Sequence, residues 1–161
     1  MTHQDLEKLK QCDDYLVYVK QFSSLEEAWN KSERSDWMWG FLRRTKRMSR
    51  KLPALYAQKC IEHMNIELAS YDKHSPSYVH AANVAEHAHK YAAYTDKLAK
   101  NAEHVANYAR WAVALAAGSK LFYLFVRDSN AAEDAHNTTY NAQLKQQANI
   151  LRSLTPNPFL K

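Results

Sequence analysis

Glycine and proline are nearly missing, at two and four in 161 residues. Few tight turns can be written from so little of either, and Gly40 and Gly118 alone cannot make a glycine-rich loop to cradle a phosphate. Cysteine is equally scarce. Cys12 and Cys60 stand far apart with no Cys-x-x-Cys spacing, so no zinc or redox motif is written, and both are expected to be buried thiols. Runs of Val, Ile and Thr are absent, which argues against a sheet. No window reaches eighteen uninterrupted apolar residues, and the opening Met1-Thr2-His3-Gln4-Asp5 lacks the basic and apolar regions of a signal peptide. The expectation is a soluble, cytoplasmic protein without a membrane partner.

What is present points to helices. Hydrophobic residues make up 46% and aromatics 12%, a globular composition, and Ala and Lys dominate the second half as helical propensity requires. The chain reads as an all-α, single-domain bundle over 1–161, with about six helices and an extended tail from 155. A net charge of +5 inclines it weakly toward acidic partners.

A first helix is predicted over about 5–20, with Leu6, Leu9, Leu16, Val17 and Val19 as its apolar contacts. Ser24-Leu25-Glu26-Glu27 is a capping box that opens a short second helix with Ala28 and Trp29 buried. Ser35 is placed to cap a third helix through 36–51, and Pro53 to open a fourth extending toward Ser70. Tyr71 to Ser77 is the clearest loop. From Tyr78 to Ala117 Ala recurs so often that two helices are expected to pack backbone to backbone, with a cap at Thr95-Asp96 between them. Gly118-Ser119 is a second weak point before the apolar run Lys120 to Val126. A last helix is predicted from Asn130 to Leu154, ended by two prolines in a stiff tail.

The stretch Asp36 to Lys51 combines two Trp, a Phe and a cluster of cations. At about 100° per residue, Trp37, Met38, Phe41, Leu42, Thr45, Met48 and Leu52 share an arc of roughly 140°. Arg43, Arg44, Lys46, Arg47, Arg50 and Lys51 fall on the opposite side. Trp39 lies among those cations. Either it packs against the second helix or Trp29, or it stacks on an unpaired base or fills a pocket on a partner.

Catalytic constellations are harder to find. Glu86-x-x-His89 and Glu133-x-x-His136, with Glu62 and Glu103, follow the order of a di-iron bundle. Glu86 and Glu103 stand too close in sequence for such a site, however, and Lys90 accounts for Glu86 as a surface ion pair. His80, His87, Tyr91 and Tyr94 share one face of the first Ala-rich helix, a pattern expected of a half-exposed surface or interface and, less often, of a metal or pH-sensing site. No catalytic residue, metal ligand or cofactor is assigned.

Ser24-Leu25-Glu26-Glu27-Ala28-Trp29, Asp36-Trp37-Met38, the long Ala/Tyr-rich helices, and Leu151-Arg152 leading to Pro156-Asn157-Pro158-Phe159 together resemble a family of small Ala-rich helical proteins of bacteria and their phages. Some of these are described as immunity-type proteins, for their similarity to antidotes of polymorphic toxin systems. Ser32 stands where that pattern commonly has Cys, and Trp39-Gly40 replaces its Leu-Trp. The resemblance implies a protein that binds and neutralises another protein, a toxin or a host defence component, and implies no catalytic residues. The residues expected to meet that partner are Trp39, Arg43, Lys46, Arg47 and Arg50, followed by the face of His80, His87 and Tyr91. Nucleic-acid binding by the basic helix 36–51 is the alternative.

Overall fold

The computed structural model describes residues 13–45, 47–95, 100–124, 129–155 and 157–159. Among them the chain forms seven helices and no strand: α1 (Asp13–Val19), α2 (Leu25–Lys31), α3 (Ser35–Arg44), α4 (Leu52–Leu68), α5 (Pro76–Ala92), α6 (Lys100–Leu124) and α7 (Ser129–Leu154). The all-α expectation holds, and no described helix is long and apolar enough to cross a membrane. Helix α6 is the axis of the bundle, packed against α4, α5 and α7. Ala81, Ala85 and Ala88 of α5 and Ala102, Ala106 and Ala109 of α6 are buried, so the backbones of this pair approach closely over small side chains, as the composition predicts.

The helix starts follow from capping chemistry, with differences from the simple motifs. Ser24 Oγ accepts from the Glu27 N–H at 3.1 Å, but the Glu27 carboxylate takes the N–H and hydroxyl of Ser23 instead of closing the box on Ser24. The Lys31 hydrogen bond first, and these Ser23 bonds after it, hold the Glu27 carboxyl down at about 2. Pro53 sits in the first turn of α4 and Ser75 Oγ caps α5 through the Tyr78 N–H. Thr95 lies in the turn that follows α5. Its hydroxyl donates to the Ala92 carbonyl at 2.9 Å and closes the end of α5, while Asp96 lies outside the described residues. Gly118 and Ser119 are no breakpoint either, because α6 runs through them to Leu124. The part of the first helix holding Leu6, Leu9 and Cys12 lies outside the described residues. Val17 is 63% exposed and makes no part of the core.

The third helix is shorter than predicted and ends at Arg44. Thr45 folds its hydroxyl back onto the Phe41 carbonyl at 2.9 Å, and the Arg47 N–H reaches the Leu42 carbonyl, so the last carbonyls are satisfied without further turns. Pro53 enforces the break, since it has no N–H to carry one helix through into α4.

Ser35 is the first residue of α3 rather than its side-chain cap. Its buried hydroxyl accepts from Arg110 Nη1 at 3.2 Å, and Gln147 Oε1 accepts from the same nitrogen. Gln147 Nε2 donates in turn to the Ala106 carbonyl at 2.9 Å. This network ties α3, α6 and α7 together in the interior. Arg110 is only 4% exposed and is held by neutral acceptors, including Asn107 Oδ1 at 3.2 Å. A buried cation so held costs desolvation and fixes register.

The tail is docked, not free. Phe159 lies 4.8 Å from the Phe41 ring and 6.4 Å from Trp29. Asn157 Nδ2 donates to Asn30 Oδ1 at 3.0 Å, and Arg47 donates to the Pro158 carbonyl. Arg152 of α7 places Nη1 on the carbonyls of Trp29 and Ser32, at 3.1 and 2.7 Å, and so closes the C-terminal end of α2.

Candidate functional site

Trp39, the first-ranked partner anchor, is 1% exposed and stacked on Tyr56 of α4 at 4.9 Å. This corrects the expectation of an indole available to a partner. Placing it on a solvent-facing side assumes that α3 has one buried face. The helix instead meets α4 on the Trp39 side, and α2, α7 and the tail on the Met38 and Phe41 side. Trp29, one predicted neighbour, packs on Phe41 instead.

The cations of that stretch do not form one helical surface. Arg43 pairs with Glu103 of α6 at 3.1 Å, Arg47 lies beyond the helix and holds Pro158, and Arg50 is exposed in a turn. Lys46 lies outside the described residues. The continuous basic helix 36–51, on which a nucleic-acid reading rests, therefore stops at Arg44.

The second-ranked face is brought together by two helices. His87 stacks on Tyr108 at 5.4 Å and 25°, Tyr108 on Tyr91 at 5.4 Å and 14°, and Tyr91 on His104 at 5.1 Å and 33°. The row runs along the outer seam between α5 and α6. Within about 100° per residue geometry, His104, Tyr108 and Trp111 lie on one face of α6, and Trp111 is 50% exposed. Tyr94, in the turn after α5, is 57% exposed. His80 is exposed farther along α5. His104, Tyr108 and Trp111 are absent from the expected face, which takes in α5 alone. The same i, i+4, i+7 pattern in α6 was the signal that finds them.

No three of His, Cys, Asp and Glu converge to hold a metal among the described residues. Three of the four carboxylates of the di-iron pattern are engaged elsewhere. Glu62 pairs with Lys59 at 2.7 Å, Glu86 with Lys90 at 2.9 Å, and Glu103 with Arg43. The Lys90 hydrogen bond holds Glu86 below the ordinary carboxylate range.

Two buried groups, Cys60 and Tyr56, are held in their neutral forms. Burial pushes the Cys60 thiol up to about 12 and the Tyr56 phenol well above its ordinary value. A thiol so raised is not a nucleophile near neutral pH. Asp36 differs. Burial opposes its ionisation, yet the paired hydrogen bonds from Arg34, at 3.0 and 2.8 Å, with the charges of Arg34 and Arg110, keep its carboxyl below the ordinary value.

A cleft of about 500 Å³ opens between α1, the α2–α3 link and α7. Its charged lining is already paired: Lys31 with Glu27, Arg34 with Asp36, and Glu33 with Lys145. It offers a ligand little polar capacity that the chain does not already use. No protein-family model, curated protein or solved structure matches this chain.

Proposed function

We propose that this protein is a non-enzymatic binding protein that docks another protein on the outer α5–α6 seam and neutralises it by occlusion. The observation that carries this reading is the continuous row His87, Tyr108, Tyr91 and His104, flanked by a half-exposed Trp111. Tyr and Trp on a rigid scaffold are the side chains that most often dominate protein interfaces, because they bury large area with few rotatable bonds. The inert Cys60 thiol and the engaged carboxylates favour a binding role over catalysis. The inhibitory role is the one that resemblance to immunity-type proteins implies, with the toxin or defence component as partner.

The test is site-specific photo-crosslinking in cells that carry the gene naturally. A photoreactive phenylalanine at position 111 is expected to give one discrete protein adduct. The same group at position 66, where Ile66 is 70% exposed on α4, is expected to give none. Adducts at position 66 and not at 111 would overturn the assignment of the face.

A further inference from the structure

We infer that the groove between α4 and α5 binds a small amphiphilic carboxylate, an acid group carried on an apolar body. This site is separate from the seam proposed above. At about 100° per residue, Tyr78, Ala82, Ala85 and His89 cluster on one side of α5, and His87 and Tyr91 lie roughly opposite. A molecule in the groove leaves the seam open, so the two sites can be tested apart.

The groove follows from how the helices are supported. Helices α4 and α5 both pack on α6 and touch each other far less. Two cylinders resting on a third leave a furrow between them, and small side chains do not fill it. Leu68 and Ala85, both buried, and Ala82 form its apolar wall. The furrow holds about 410 Å³, which falls in the range of roughly 300–1,000 Å³ common to small-molecule sites.

Unspent polar groups set the sign of the ligand. Two of the described lining residues, Lys73 and Glu86, carry a full charge near neutral pH. Glu86 is already paired with Lys90 at 2.9 Å. Lys73, which enters from the α4–α5 loop, has no hydrogen bond or ion pair to another described residue. Its chain neighbour Asp72 accepts the His74 N–H at 2.9 Å and takes no part in the lining. The side chains of Asn65, Tyr78 and His89 also lack hydrogen bonds to described residues, but each can donate or accept, so they favour neither sign. The one unmatched charge in the groove is therefore a cation. The cleft beside α1 shows the contrast, because Lys31, Glu33 and Arg34 are each paired there.

The cation and the apolar wall lie in line. From Tyr78, beside the loop that carries Lys73, to Ala85 the rise along α5 is about 10 Å at 1.5 Å per residue. A carboxylate at Lys73 thus has an apolar surface of that length on which to lay its body.

The test is a titration of the isotope-labelled full chain followed by two-dimensional nuclear magnetic resonance. Octanoate is the probe, octanamide supplies the same body without charge, and acetate supplies the head alone. Octanoate is expected to shift the amide signals of Lys73, Tyr78, Ala82 and His89 saturably at millimolar concentration. Octanamide should bind about fivefold more weakly, the worth of one exposed ion pair, and acetate should give no saturable shift. Lys73→Met should bring octanoate down to the affinity of octanamide and leave octanamide unchanged. Lys145→Met, which removes a cation elsewhere, should alter neither. Ala82→Leu, with its fold checked by circular dichroism, fills the furrow and should weaken both ligands. Equal affinity for octanoate and octanamide, a preference for octanoate that survives Lys73→Met, absence of saturable binding, or shifts along the seam instead of the groove would each overturn the site.

Discussion

The corner built by α2, α3 and the tail and the outer seam of α5 and α6 are both crowded with aromatics, and they use them in opposite ways. In the corner, Trp29 packs edge to face on Phe41 and Phe159, those two rings tilt against each other, Arg152 satisfies the carbonyls of Trp29 and Ser32, and Asn157 grips Asn30. Those rings and the Arg152 and Asn157 donors have internal partners. On the seam, His87, Tyr91, His104 and Tyr108 lie ring against ring beside a half-exposed Trp111, and none of the five has a hydrogen bond to another described residue. Aromatic density alone therefore says little about binding. What separates a structural cluster from a docking face is whether its polar atoms are already matched.

The largest effect that would break this comparison belongs beneath the corner. Trp39→Ala removes a buried indole stacked on Tyr56, and a loss of about 3–5 kcal/mol is expected. For a chain of this size that lowers Tm by roughly 10 °C or more, measurable by calorimetry. A loss near zero would mean that the indole is not packed as described. Next comes the tail. Phe159→Ala should cost about 1–2 kcal/mol, less than a full core aromatic because the ring is only half-buried. Its urea midpoint should fall while the m-value stays unchanged.

A smaller effect sharpens the electrostatic side of the corner. The Asp36 carboxyl is held below its ordinary value, so its contribution is present above the unfolded value of about 3.9 and is lost as pH falls through the folded value. Asp36→Asn should be less stable than the natural protein near neutral pH. The gap in Tm should close on acidification below about pH 4. A gap that persists unchanged to pH 2 would remove Arg34 and Arg110 as its cause.

Much of this division was legible in the sequence. Ser24, Pro53 and the Ala stripes carry local rules of capping and close packing, and those rules hold within a residue or two. Trp39 was misplaced because a helical wheel knows the face of one helix but not how many neighbours surround it. Its cover comes from Tyr56, seventeen positions away on α4. Ser35 was read as a cap because its type and position fit one, whereas its hydroxyl is engaged by Arg110 and Gln147 from distant helices. The seam was half visible. His80, His87 and Tyr91 stand out on α5, but the register that brings Tyr108 and His104 against them is set by the packing of α5 on α6, which no single-helix pattern contains. The short motifs around Trp29, Arg152 and Phe159 meet in the corner. There they hold the fold together, and the face proposed to bind lies elsewhere.

The most direct test of that separation is a paired measurement of stability and partner recovery on one variant, Tyr108→Ala/Trp111→Ala. Because Trp111 is half-exposed and Tyr108 only partly buried, against the core and between two rings, the loss is expected to stay at about 1–2 kcal/mol, below that of Trp39→Ala. Recovery of the crosslink-defined partner from cell extract should fall by about tenfold or more. A variant that keeps its partner at full strength, or one that unfolds as severely as Trp39→Ala, would contradict the assignment of the α5–α6 seam as the binding surface.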